Sequence, residues 1–220
     1  MWYRGRQPFL RYTEAALSQC ELALFPLSSV LFPGGVTTLC IREARHLDVI
    51  AKILKTGDSL GVVLAEDGQA ASSIEDKNAP HVARVGSRCT VQNFDQNDQG
   101  QLTIEIQAQQ KFKILDTFED KQRAMFAQVL LMTPEPVIET GPEDESLIDI
   151  LEHLLAHPAV KIARHQIDYQ HLANLGGRLA ELLPLKNTVR QRMLEIHDPV
   201  VRLNHLEKIL DQLQTEAETS

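Results

Sequence analysis

Two histidines, His153 and His157, stand four residues apart in a stretch of helical periodicity, the interval that lets two imidazoles share one ion. The intervening Leu154-Leu155-Ala156 lacks the glutamate of H-E-x-x-H, no third ligand is in register, and Pro158 closes the turn. The pair therefore reads as two surface imidazoles, and no metal site is expected. His165 and His171 are six residues apart and do not share a helix face. Nucleophilic chemistry fares no better. Ser28 and Ser29 lie outside any G-x-S-x-G elbow, and none of Cys20, Cys40 and Cys89 has a histidine and glycine-rich context beside it. The glycine pair in Gly176-Gly177-Arg178 interrupts a helical pattern, but no G-x-x-x-x-G-K-[ST] string occurs, so a phosphate cradle and its lysine are not encoded. The residues carry no catalytic, cofactor-binding or metal-ligating constellation, which directs attention to binding.

Charge narrows the kind of partner. The formal net charge of −8 repels phosphate backbones unless basic residues are segregated. One such concentration exists, Arg4, Arg6 and Arg11 interleaved with Trp2, Tyr3, Phe9 and Tyr12, a mixture able to hold a single strand of RNA by charge and stacking. The acidic remainder opposes that use, and nucleic acid is the alternative partner rather than the expected one. Three cysteines with no C-x-x-C pair and an odd total point to neither a disulfide framework nor a zinc site, and suit a reducing, cytoplasmic setting. No apolar run reaches about 18 residues, so no membrane partner or span is expected.

The elements that would position a binding surface follow from periodicity. At 43% hydrophobic and 24% charged, 220 residues suffice for a sizeable core without staples. Two apolar runs, Leu22–Leu27 and Val30–Phe32, are each tied to a proline, Pro26 and Pro33, and Gly34-Gly35 precedes the alternating Val36–Ile41. Strand, corner and strand is the reading, because proline removes a ladder donor and paired glycines supply positive φ. Ala44–Lys55 forms a helix with Leu47, Ile50, Ala51 and Leu54 on one face. Leu60–Ala65 is a buried strand, and Ser72–Pro80 a polar loop. Val82–Val91 and Gln101–Leu115 pair as long strands around an Asn97–Gly100 hairpin turn, and Phe126–Met132 closes the sheet. Between Glu135 and Asp149 the chain holds six acidic residues, no basic one, and several prolines, the composition of a solvated linker. Helices follow: one carrying Leu147, Ile150, Leu151, Leu154 and Leu155, then Tyr169–Leu183, Thr188–His197, and a last one begun by the cap-and-proline pair Asp198-Pro199.

Several of these strings together resemble the Lon protease amino-terminal domain family. They are Leu24-Phe25-Pro26-Leu27, Val30-Leu31-Phe32-Pro33-Gly34, Val85-Gly86-Ser87, Gln109-Gln110-Lys111-Phe112-Lys113-Ile114, Arg178-Leu179-Ala180-Glu181-Leu182-Leu183-Pro184-Leu185 and the Asp198-Pro199 step. The chain departs from the family pattern at Ala23 (usually proline), Arg42 (phenylalanine), Ser87 (threonine), Gln101 (arginine), Ala108 (glycine) and Lys111 (arginine). The last exchange keeps a charge and loses a planar fork. The resemblance implies an α+β architecture: a mainly antiparallel, PUA-like β pseudo-barrel over residues 1–134, then a helical bundle over 135–220. It implies a substrate-recognition module for unfolded or client polypeptide, in protein quality control or proteolysis. The ATPase and serine-lysine peptidase of a full Lon enzyme are not expected here. A groove between the barrel and the helices would then hold the polypeptide, with Phe32, Val36, Phe112 and Leu185 as its candidate lining.

Overall fold

The computed structural model describes residues 18–65, 81–160, 162 and 167–218, the last six of these by backbone alone. The polar loop expected at Ser72–Pro80 and the arginine-aromatic arm at Met1–Tyr12 lie outside the described residues.

Six strands form one sheet, β1 (Gln19–Leu27), β2 (Val36–Ile41), β3 (Leu60–Leu64), β4 (Val85–Gln96), β5 (Leu102–Glu119) and β6 (Met125–Leu131), in the order β2-β5-β4-β3-β1-β6. All pairings are antiparallel except β1 with β3, and β5 also pairs with β6. The loop β5-β4-β3-β1-β6-β5 is therefore closed, and β2 hangs on β5 as an appended edge. The architecture is mixed α+β with a mostly antiparallel six-stranded sheet, as the sequence implied.

Local chemistry accounts for the turns. Asn97–Gly100 joins β4 to β5 with Gly100 at φ 75°, where a side chain would be strained. Pro26 sits in β1 opposite Val63. Because the Leu27 carbonyl accepts from Ala65 N at 2.8 Å on the β3 side, alternation turns Pro26 to the opposite edge, where β6 has already stopped pairing at Ala23. Proline thus sits where no ladder needs its missing N–H.

Helix α1 (Ala44–Thr56) closes one mouth of the barrel and buries His46, Val49, Ile50 and Ile53. This corrects the expected face: Leu47 and Leu54 are exposed, as is Ala51. Two apolar stripes overlap on this helix, and the barrel mouth takes the one that continues Phe25, Leu39 and Leu60. Beyond β6 come a short 3-10 turn (Pro142–Asp144), α2 (Glu145–Leu155), α3 (Leu172–Leu182), α4 (Asn187–Glu195) and α5 (Pro199–Glu218). Asp198 begins α5 as anticipated, its carboxylate accepting from Val200 N at 2.8 Å. Among the described residues, no helix is long and apolar enough to cross a membrane.

The helices and the barrel share one apolar cluster, with Val30, Phe32, Leu64 and Ala83 joining Leu147, Leu151, Leu172, Leu175 and Leu179. Close approach depends on Gly177: a Cβ there would lie 3.2 Å from the Phe32 Cβ. The glycine pair in α3 is thus a packing surface rather than a phosphate loop.

Candidate functional site

The four residues expected to line a groove between barrel and helices do not form one. Phe32 and Phe112 are both 0% exposed, Phe32 against the helices and Phe112 inside the barrel with Leu24, Val63 and Ile114. Neither has surface to offer a ligand, which corrects that part of the sequence reading. Val36 opens β2, and Leu185 leans against the helical cluster; both are half-buried and belong to different surroundings.

What fills the barrel–helix junction is buried charge. Lys111 on β5 is 2% exposed, and its ammonium donates to the carbonyls of Leu194 (2.9 Å) and Ile196 (3.0 Å) at the end of α4. Glu135 lies 2.6 Å from the same nitrogen and also takes both guanidinium ends of Arg202, at 2.9 Å through one oxygen and in a shorter contact through the other. Arg202 donates further to the carbonyls of Met193 (3.0 Å) and Ile196 (2.7 Å), and its guanidinium stands 5.6 Å from the centre of the Phe32 ring. One carboxylate thus neutralises two buried cations that together cap the open carbonyls of α4. Burial holds the Lys111 ammonium below its ordinary pKa, with Glu135 pulling it back up, and lowers the neighbouring His197 imidazole, which Lys111 depresses further.

A second pair stands on the other side of Phe32. Arg178 donates to Glu181 (2.7 and 2.9 Å) and to the Phe32 carbonyl (3.2 Å), while Glu181 accepts the Phe32 N–H at 2.6 Å. Burial raises the Glu181 carboxyl to about 6 although Arg178 and the Phe32 amide favour its charge. Ser87 donates to the Leu31 carbonyl at 2.6 Å, and Asn187 to that of Ser28 at 2.6 Å. The bonds to Phe32, Leu31 and Ser28 each cross between the first corner of the chain and a distant element, so the junction is a fastening. The expected solvated linker is part of it. Thr140 N donates to Gln170 O at 2.9 Å, its hydroxyl to Tyr169 O at 2.8 Å, Leu172 N to Ile138 O at 2.9 Å, and Asp144 is fully buried while accepting from Gly141 N at 2.7 Å.

Accessible apolar surface lies elsewhere, at the far end of the barrel. A depression of about 570 Å³ is lined by Ile41 at the end of β2, Arg42 just after it, Leu47 of α1, and Phe94, Asp95, Gln101 and Leu102 around the β4–β5 hairpin. Phe94 is 60% exposed and Leu47 39%. A smaller slot of about 160 Å³ lies between β2, at Thr38, Leu39 and Cys40, and the Phe25–Leu27 end of β1, and shares Ile41 and Arg42 with the first. Phe118 and Leu115 form another exposed apolar spot, with Phe118 stacked on Phe126 at 5.9 Å, and Phe126 borders a cavity of about 640 Å³ whose walls carry the charged Glu21, Asp48, Lys52, Asp58, Arg88 and Asp120. Concave, apolar and only lightly charged, the Phe94 depression suits the side chains of an extended or unfolded segment. Sequence reasoning missed it because Phe94 sits in an otherwise polar hairpin and Leu47 was assigned to the core.

Comparison with known proteins agrees with the fold. The family model of the ATP-dependent protease La (LON) substrate-binding domain matches residues 21–212. Lon protease 2 of Herpetosiphon aurantiacus is 28% identical over 209 residues, a match that takes in 90% of this chain and 24% of the relative, so the chain spans about a quarter of that protein's length. The crystal structure of a Lon N-terminal domain protein from Xanthomonas campestris superposes with a TM-score of 0.68 at 30% identity, covering 86% of this chain and 98% of that one. The N-terminal domain of a Mycobacterium avium complex Lon protease superposes at 0.58 with 13% identity, over 85% and 96% of the two chains, a likeness of fold.

Proposed function

Because the chain belongs to the ATP-dependent protease La (LON) substrate-binding domain family, we propose that it is a non-catalytic receptor for unfolded or client polypeptide, acting in protein quality control or proteolysis in the cytoplasm. Its PUA-like barrel serves as the platform. The observation that carries this reading is the open apolar depression around Phe94 and Leu47, in a structure whose other large apolar residues, among those described, are mostly packed. A folded protein keeps most of its large apolar side chains in its core, whereas an unfolded segment offers them to such a depression. The fastening at the barrel–helix junction supports the same division of labour: it holds the scaffold rigid while the far end stays open.

A titration checks it. A fluorescently labelled, permanently unfolded chain such as reduced, carboxymethylated lactalbumin should bind saturably. Phe94→Ser removes an aromatic whose full burial contributes about 1.5–3 kcal/mol and should weaken binding on the order of tenfold or more. Failure of the wild-type chain to bind this probe at high micromolar protein contradicts the proposal. The family likeness does not favour RNA as the ligand, and the acidic net charge opposes it.

A further inference from the structure

β2 is a strand with one side unused. Ala108 N donates to Gly35 O at 2.8 Å, and the β2–β5 register continues from that point through Val36↔Gln107 to Ile41↔Leu102. Backbone groups alternate sides along a strand, so Thr37, Leu39 and Ile41 bond to β5. The N–H and C=O groups of Val36, Thr38 and Cys40 consequently point away from it. Among the described residues no strand pairs with that outer edge, and the side chains of Thr38 and Cys40 are exposed. Proteins usually guard such an edge with lysine, proline or a bulge. β2 reads Val-Thr-Thr-Leu-Cys-Ile, with no charge, no proline and no register break against β5.

We propose that the outer edge of β2 takes an extended segment of client polypeptide as an added strand, whose backbone bonds to Val36, Thr38 and Cys40 and whose apolar side chain at the Ile41 end enters the Phe94 depression. A ladder of alternating donors and acceptors is matched by another extended backbone whatever its side chains. Such a mode selects for unfolded chain and is tolerant of sequence. The slot along Thr38–Ile41 adjoins the depression, with Ile41 and Arg42 in the walls of both, so a segment laid along β2 runs from one toward the other. Pairing of two copies through the same edge is opposed by a net charge of −8 on each. The proposal rests on the polypeptide-receptor reading and specifies how the chain is held.

Amide hydrogen exchange on the intact wild-type chain tests it, with reduced, carboxymethylated lactalbumin as the probe. At saturating probe the Val36, Thr38 and Cys40 amides should slow by about tenfold or more, while Thr37, Leu39 and Ile41, already bonded to β5, change little. Thr38→Pro deletes one outward N–H, leaves the β2–β5 bonds intact and should weaken probe binding by about tenfold. If the probe binds and the three outward amides are unaffected, the added-strand mode is wrong and the receptor reading stands. If the wild-type chain does not bind the probe, both fall. Protection of the same amides that rises with protein concentration in the absence of probe assigns the edge to a second copy and also overturns the proposal.

Discussion

Glu135 shows how a single residue was misread. Among prolines and other acids it has the look of a hydrated linker carboxylate, yet it is the shared counter-ion of Lys111 and Arg202, partners that no local pattern links to it. Glu135→Ala leaves two buried cations uncompensated, and removal of one partner from such a pair costs about 3–5 kcal/mol. Chemical denaturation should register a loss of that size, with Glu139→Ala, an exposed neighbour on the same segment, as the comparison. Glu181 makes a prediction of opposite character. Its folded carboxyl titrates at about 6, above the ordinary 4.5, so the folded state binds the proton more tightly than the unfolded one. The stability it contributes is fully present below about 4.5 and is lost as pH rises through about 6. Unfolding free energy of the wild type measured between pH 4 and 7 should therefore fall relative to that of Glu181→Gln, which lacks the titration. A difference that is flat with pH contradicts the assignment.

At the scale of elements, what the sequence makes legible is what is local. The Asn97–Gly100 turn, the Asp198-Pro199 helix start and the alternation of Leu102, Ile104 and Ile106 were all readable, because turn type, capping and period depend on neighbours in the chain. The face of α1 was not. Leu47, Ile50 and Leu54 satisfy helical spacing as well as Val49, Ile50 and Ile53 do, and only the barrel mouth decides between them. The residue left over, Leu47, became part of the candidate site. Phe112 went the other way: a motif position read as groove lining proved to be barrel core. Gly176 and Gly177 illustrate packing that no periodicity encodes, since their value lies in how near Phe32, Arg202 and Leu203 come to α3. Gly177→Leu should force Phe32 aside and cost about 1–3 kcal/mol by overpacking, read as a lower Tm. Phe94→Ser, on the open end of the hairpin, should leave Tm nearly unchanged.

For the whole molecule, the fastening between barrel and helices predicts one cooperative unit rather than two tethered ones. Apolar contacts through Phe32, the bonds of Lys111 to Glu135, Leu194 and Ile196, and those of Phe32 to Arg178 and Glu181 all cross the boundary expected near residue 134. Thermal unfolding should show a single transition, and a protease should cut the segment around Thr140 only as the chain unfolds; two separated transitions would mean the halves are independent. A rigid body of this kind needs its ligand surface outside the junction, and this placement is the account's central claim. Site-specific photo-cross-linking tests it most directly, with benzoylphenylalanine placed once at Phe94 and once at Leu185 and reduced, carboxymethylated lactalbumin as the target. The account predicts a cross-linked adduct from position 94 and none from position 185; an adduct from position 185 with none from position 94 would return the binding surface to the barrel–helix junction and contradict it.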